Sequence, residues 1–203
     1  MSIKTPWDDR YATDEYVYGT RANDFLVEMT PQMPVGTTLC VAEGEGRNAV
    51  WLAEQGHKVV AVDASVVGLR KAQVLAKQRG VNLITEVADL GNYSLQPESY
   101  DLIVSIFAHA TQEVRVGLHR NIVNALRPGG FFLLEAYTPK QLGYNTGGPP
   151  DIEKLMTLDA LREELSGLDF VHALETEREV VEGKLHTGKG SVVQVLAKKP
   201  FPA

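Results

Sequence analysis

The sequence predicts an α/β fold: a mostly parallel sheet with helices packed on both faces. Three observations carry this expectation. Short apolar runs alternate with stretches of helical period from Leu39 to Ala136. The first run, Leu39 to Ala42, passes at once into Gly44 and Gly46 and then into a helical pattern at Ala49, Val50, Leu52 and Ala53. The tail holds two strand-like runs, Phe170 to Val181 and Ser191 to Ala197, with no helix between them. Alternation implies parallel strands joined by helices, whereas adjacent runs without a helix pair antiparallel.

Taken in order, the leading segment mixes aromatics and charges, Pro6-Trp7-Asp8-Asp9-Arg10-Tyr11, and continues through Tyr16 to Thr20. It either staples itself to the sheet or closes over a pocket. Asn23 or Asp24 caps a helix through Phe25, Leu26, Val27 and Met29, which Pro31 ends. After the first strand a helix runs from about Asn48 to Gln55 and stops at Gly56. Lys58 to Val62 is the second strand. Ser65 caps the next helix, with Val66, Leu69, Ala72, Val74, Leu75 and Ala76 as its apolar positions and Gly80 as its end. Leu83 to Val87 is the third strand and Tyr100 to Phe107 the fourth. Thr111 to Leu126 is a helix stopped by Arg127-Pro128-Gly129-Gly130, a turn that feeds a fifth strand, Phe131 to Ala136. A Gly- and Pro-rich loop, Tyr137 to Pro150, precedes a short helix opened by Thr157. The two tail strands are expected to flank a loop from Glu182 to Gly190.

With 203 residues, one domain over 1–203 is the expectation, with residues 1–30 as a leading lid segment. Hydrophobic content of 44% and charged content of 23% suit a globular chain. A net charge of −6 argues against nonspecific nucleic-acid binding. Cys40 is the single cysteine, so it forms no internal disulfide and no Cys/His metal spacing surrounds it. The polar start and the lack of a membrane-length apolar run give a soluble, cytoplasmic expectation.

Strand, glycine turn and helix in that order make a nucleotide site. Glycines let a ligand lie against the backbone, and the first-turn amides of the helix face it. Asp63, at the end of the second strand, is placed to accept both hydroxyls of a ribose. In an open parallel sheet the ligand lies beyond the carboxyl ends of the strands. That edge collects Glu43 to Gly46, Asp63-Ala64, Asp89-Leu90, Ala108-His109-Ala110 and Tyr137-Thr138. The hairpin loop reaches the same edge, so His186 is expected near His109 and Tyr137.

These motifs give the chain a family resemblance. Ala42-Glu43-Gly44-Glu45-Gly46-Arg47-Asn48, Val62-Asp63, Ala88-Asp89-Leu90, Tyr100 to Ser105 and Leu126-Arg127-Pro128-Gly129-Gly130 occur in one order, followed by the terminal hairpin. The chain resembles the class I S-adenosylmethionine-dependent methyltransferases, and among them the small bacterial tellurite-resistance and thiopurine types. The resemblance implies a seven-stranded Rossmann-like sheet of order 3-2-1-4-5-7-6, with strand 7 antiparallel. It also implies S-adenosylmethionine as cofactor and a small molecule or a chalcogen oxyanion as acceptor. The chain departs from the family pattern at Cys40, where an acid is usual, and Glu43 is the candidate to replace it in part.

The implied cofactor set is Tyr18, Thr20, Ala42, Glu43, Gly44, Gly46, Asn48, Asp63, Ala64, Asp89, Leu90 and Phe107. Gly44 and Gly46 would admit the methionyl part, Asp63 the ribose, and Asp89 with Leu90 the adenine. Tyr11, Tyr18 and Thr20 would close the lid. Arg21 either pairs with a carboxylate or is a solvated surface group. Where the acceptor must lose a proton, His109 and His186 are the candidate bases, since imidazole titrates near neutrality. Two rival readings stand beside this one. Gly44-Glu45-Gly46-Arg47-Asn48-Ala49 with Asp63 also suits an NAD-dependent oxidoreductase. A non-catalytic S-adenosylmethionine-binding protein would share the fold.

Overall fold

The computed structural model describes residues 5–202. Seven strands form one sheet: β1 (Thr37–Val41), β2 (Lys58–Asp63), β3 (Ile84–Val87), β4 (Tyr100–Ile106), β5 (Leu126–Tyr137), β6 (Asp169–Glu182) and β7 (His186–Lys198). Their order is β3-β2-β1-β4-β5-β7-β6. Strands β1 to β5 pair parallel, and β7 lies antiparallel between β5 and β6. The order and the reversed seventh strand match the sequence expectation.

Six α-helices cover the sheet: α1 (Pro6–Tyr11), α2 (Asp24–Met29), α3 (Arg47–Glu54), α4 (Val66–Arg79), α5 (Gln112–Ala125) and α6 (Leu158–Glu164). The core therefore has two layers. On one face Leu118 and Ile122 of α5 and Leu161 of α6 pack with Ile103, Phe132 and Val195. On the other, Phe25, Leu52 and Leu69 pack with Cys40, Val104 and Leu133. Each such buried side chain contributes about 1.5–3 kcal/mol. Cys40 is a free, wholly buried thiol, so it serves as core.

In the leading segment, Thr5 and Asp8 form a capping box that starts α1. Two expectations need correction. Helix α5 does not reach a separate turn at Arg127-Pro128-Gly129-Gly130, because the chain is already extended at Leu126 and pairs with Tyr100 before a register shift at Leu102. The expected loop from Glu182 to Gly190 is only a short turn over 183–185. His186 pairs with Glu182, Thr187 with Val181, and so on through Gly190 with Arg178. Residues 1–4 of the expected lid segment lie outside the described residues. Among the described residues, no helix is long and apolar enough to cross a membrane.

Candidate active site

The carboxyl ends of β1, β2, β3 and β4 open onto a cavity of about 740 Å³. That volume lies within the usual 300–1,000 Å³ of small-molecule sites. Its floor is Ala42 and Phe107, at the ends of β1 and β4. Both are non-glycine residues with positive φ, +50° and +52°. Such strain is held by surrounding structure and clusters at ligand sites.

One side of the cavity is the turn after β1, contributed by Glu43 and Glu45; Gly44, expected against the ligand, is not part of that wall. Gly44 has φ +62°, and a Cβ there would lie 2.6 Å from the Tyr11 Oη. The Tyr11 ring thus lies directly on the turn. Asp63 is buried, and its carboxylate accepts the Gly44 N–H at 2.8 Å and the Ser65 N–H at 2.7 Å. Burial raises its pKa despite these bonds. A carboxylate offers about four lone-pair positions, so Asp63 keeps acceptor capacity for a ligand hydroxyl. Asp89 is exposed in the cleft beside Leu90, with Oδ1 accepting the Gly91 N–H at 2.9 Å.

Glu43 replaces the helix amides that were expected to face a ligand. Its Oε1 accepts the Asn48 and Ala49 N–H groups at 2.9 and 2.8 Å, capping α3 from inside. Burial lifts its pKa to about 7, against those two bonds and Arg47. The Asn48 Oδ1 in turn accepts the Asn23 N–H at 2.9 Å, fastening the leading segment. Gly46 also differs from expectation: it is not a cavity wall. An added Cβ would meet the Ala72 Cα at 2.7 Å, so Gly46 lets α3 pack against α4.

The leading segment and the hairpin turn meet over the cavity. Glu45 accepts the Val17 N–H at 2.8 Å, and the Lys184 N–H donates to the Val17 carbonyl at 3.0 Å. Tyr18 lines the cavity, with its ring 4.7 Å from that of His186 and its Oη bonded to Arg10. Thr20 is exposed and is not part of the cavity wall, which corrects its assignment to the lid contact. Arg21 is a surface group paired with Asp24.

Beneath this roof sits a network the sequence reading missed. Asn23 donates to Glu135 at 2.5 Å and to Glu182 at 2.7 Å. Arg178 forks onto Glu135, and Arg47 donates to Glu182 at 2.5 Å. Buried Arg47 and half-buried Arg178 meet two buried anions, with Gln194 completing Glu135. The six residues, which tie the start of α2 to α3, β5, β6 and β7, come from distant parts of the chain, and no local pattern marks them.

The other side of the cavity is aromatic. Phe107 stacks on Tyr137 at 4.5 Å, and His109 stacks on Tyr137 at 5.7 Å with 10° between planes. His186 meets Phe107 and Tyr137 edge-on at 4.9 and 5.3 Å. The topology therefore brings His186, His109 and Tyr137 together. His109 Nδ1 lies 3.0 Å from the Lys154 carbonyl oxygen. A carbonyl only accepts, so Nδ1 carries the proton and Nε2 the lone pair. That Nε2, the His186 Nδ1 and the Tyr137 Oη are buried without a hydrogen-bond partner. Burial lowers the pKa of His109 to about 4 and, with Arg47 nearby, that of His186 to about 3. Both rings are neutral at pH 7.

Comparison with known proteins fits this geometry. Residues 38–130 match the methyltransferase domain family. The chain has the class I methyltransferase fold. Over 97% of its length and 92% of the other chain it superposes, with a TM-score of 0.77 and 15% identity, on a structure titled for the conversion of a disulfide bond into a thioacetal group during echinomycin biosynthesis. TehB from Haemophilus influenzae gives 0.70 at 20% identity, over 95% of this chain and 65% of that one. An S-adenosylmethionine-dependent methyltransferase from Mesorhizobium loti gives 0.67 at 22% identity, over 86% and 95%. A curated relative, the 2-heptyl-1-hydroxyquinolin-4(1H)-one methyltransferase of Mycobacteroides abscessus, is 30% identical over 121 residues, 58% of this chain. The match spans 51% of that relative's length.

The methyltransferase fold gives the cavity its two ends. The turn after β1, Asp63, Ala64, Asp89 and Leu90 lie toward β1 to β3, while Phe107, His109 and His186 lie toward β4 to β7. S-adenosylmethionine fits the first set by its donors and acceptors: an acid at the β2 end with spare acceptor capacity, and a second acid beside an apolar side chain.

Proposed function

We propose that this chain is an S-adenosylmethionine-dependent methyltransferase acting on a small molecule. One observation carries the reading: the cavity joins a nucleoside-type edge, with Asp63 and Asp89, to an aromatic pocket lined by His109 and His186, each with a buried ring nitrogen that has no partner. Asp63 holds the ribose hydroxyls in charge-assisted bonds, Asp89 takes the adenine amino group, and Ala42 and Phe107 flank the methionyl part. Bound there, the cofactor supplies a methyl group on a sulfonium. The chain's own part is to align the acceptor in line with that methyl and to exclude water. Tyr11, Tyr18 and the hairpin turn do the excluding, as the lid part of one catalytic unit. The proposed setting is the cytoplasm.

Of the two acceptor classes, a flat organic molecule suits the pocket better than a chalcogen oxyanion. An oxyanion needs a committed cation, and the cations that line the cavity already have partners: Arg47 holds Glu182, Lys154 lies 3.9 Å from Asp151, and Arg10 holds Tyr18 and lies over Trp7. The curated relative is named for a hydroxyquinolone acceptor, which is flat and aromatic.

Calorimetric titration with S-adenosylmethionine and NAD, followed by labelled-methyl transfer to 2-heptyl-1-hydroxyquinolin-4(1H)-one and to tellurite, tests the reading. Binding of S-adenosylmethionine alone, with transfer to the organic acceptor, is expected. Binding of NAD would support an oxidoreductase instead. Binding without transfer to any acceptor in a broad panel would support the non-catalytic reading.

A further inference from the structure

Behind the aromatic pocket, α5 and α6 hold a second buried cluster that the cofactor reading does not use. Arg115 forks onto Glu164 through Nε and Nη2, at 3.0 and 2.8 Å. Glu164 also receives His119 Nδ1 at 2.6 Å. The remaining nitrogen of Arg115, Nη1, donates to the carbonyls of Glu153 and Leu155, at 3.2 and 3.4 Å. Those two carbonyls bracket Lys154, whose own carbonyl accepts from His109 Nδ1. The Met156 N–H then ties the segment to the Tyr137 carbonyl at 3.0 Å. Arg115 thus ties the short turn at Ile152–Lys154 to α5 by hydrogen bonds from its side chain.

Resting on the methyltransferase reading above, we propose that His109 Nε2 takes the proton of an acidic aromatic hydroxyl on the acceptor, and that Glu164 and Arg115 are positioning residues that fix His109 in its Nδ1–H form through the Lys154 carbonyl. The balance is simple. The acceptor O–H proton passes to Nε2 while the oxygen lone pair forms the new O–CH₃ bond. The electron pair of the broken C–S bond stays on the departing sulfur, and the imidazolium returns its proton to water. Proton removal of this kind contributes about 10²–10⁴-fold.

The geometry selects the acceptor class. Phe107, His109 and His186 wall the pocket with rings, backed by the buried ring of Tyr137, which suits a flat aromatic molecule. The facing charges are the Arg115 guanidinium and the Lys154 ammonium, while His186 is neutral. A buried imidazole whose pKa is lowered to about 4 is a weak base. It matches a phenol or an N-hydroxy heteroaromatic far better than an alkanol.

The test uses the free protein with ¹⁵N-labelled histidine. In wild type, His109 should give one Nδ1–H signal and a lone-pair Nε2 signal between pH 6 and 8. Adding 4-nitrophenol should shift Nε2 and leave Nδ1 in place. In Arg115→Met, and in the milder Glu164→Gln, the two tautomers should mix while folding and S-adenosylmethionine affinity persist. kcat should fall up to about 100-fold, the cost of misplacing a reacting group. A wild-type Nε2–H tautomer, or an Nε2 signal indifferent to 4-nitrophenol, overturns the proposal without any variant. Tautomer mixing absent from folded Glu164→Gln removes the relay. Absence of S-adenosylmethionine binding with the tautomer fixed would instead sink the methyltransferase reading alone.

Discussion

The two sides of the cavity are built on opposite terms. On the glycine-turn side the buried carboxylates are already engaged by the chain: Glu43 by two amides of α3, Asp63 by the amides of Gly44 and Ser65. On the aromatic side the chain leaves His109 Nε2, His186 Nδ1 and Tyr137 Oη without partners. A buried unpaired polar group costs about 1–3 kcal/mol. The first side is thus a finished scaffold that keeps some acceptor capacity, and the second awaits a ligand that completes it. Changes on the first side should act on cofactor affinity, and changes on the second on turnover.

The largest effect is expected at the turn. Gly44→Val places a branched side chain at φ +62° against the Tyr11 Oη, and should abolish S-adenosylmethionine binding in calorimetry. Normal binding by the folded variant would make the turn a structural feature only. On the other side, His109→Gln should cut kcat by about 10²–10⁴-fold with the cofactor Kd unchanged. A matching loss of affinity would erase the division between the sides. Asp63→Ala should weaken cofactor binding by about 1.5–3 kcal/mol, the range for bonds to a charged group.

Acid should separate the sides by sign. Burial raises the pKa of Glu43 to about 7, above its unfolded value of about 4.5. Its contribution to stability is therefore fully present below pH 4.5 and is lost as pH rises through 7. His109 and His186 are lowered to about 4 and 3, below about 6.5 unfolded. Their contribution is present above pH 6.5 and is lost as pH falls. Between pH 6.5 and 4.5 the two trends oppose, each on the order of 2 kcal/mol. Glu43→Gln should steepen the fall of Tm on acidification, and His109→Gln should flatten it. Parallel Tm profiles for both variants and wild type would contradict this. The smallest effect is expected at Thr20, exposed and outside the cavity wall: Thr20→Ala should change cofactor affinity by less than about 0.5 kcal/mol.

What the sequence made legible follows from range. The parallel pairing was readable because alternating strands and helices leave few ways to connect them, whereas the strand order came from the family resemblance. Asp63 stands where the local motif puts it, at the end of β2 on the cavity wall, while Gly44 takes the positive φ of the turn without lining the cavity. Gly46 was misassigned, because the requirement for a missing Cβ comes from Ala72 on another helix. The hairpin was read too short: Gly188 and Gly190 look like loop residues, yet pairing with Val180 and Arg178 holds them in strand. Glu43 carried a signal that could have been used, an acid just before a helix start. Arg115 and His119, four residues apart on one face of α5, hinted at a shared partner, but nothing local names Glu164. The Asn23, Glu135, Glu182 and Arg178 network left no local trace at all.

A crystal structure with S-adenosylhomocysteine tests the central claim most directly. The account predicts ribose hydroxyls on Asp63, adenine beside Asp89 and Leu90, and the sulfur facing the pocket of Phe107, His109 and Tyr137. Ligand bound elsewhere, or bound with its sulfur turned away from His109, would contradict it.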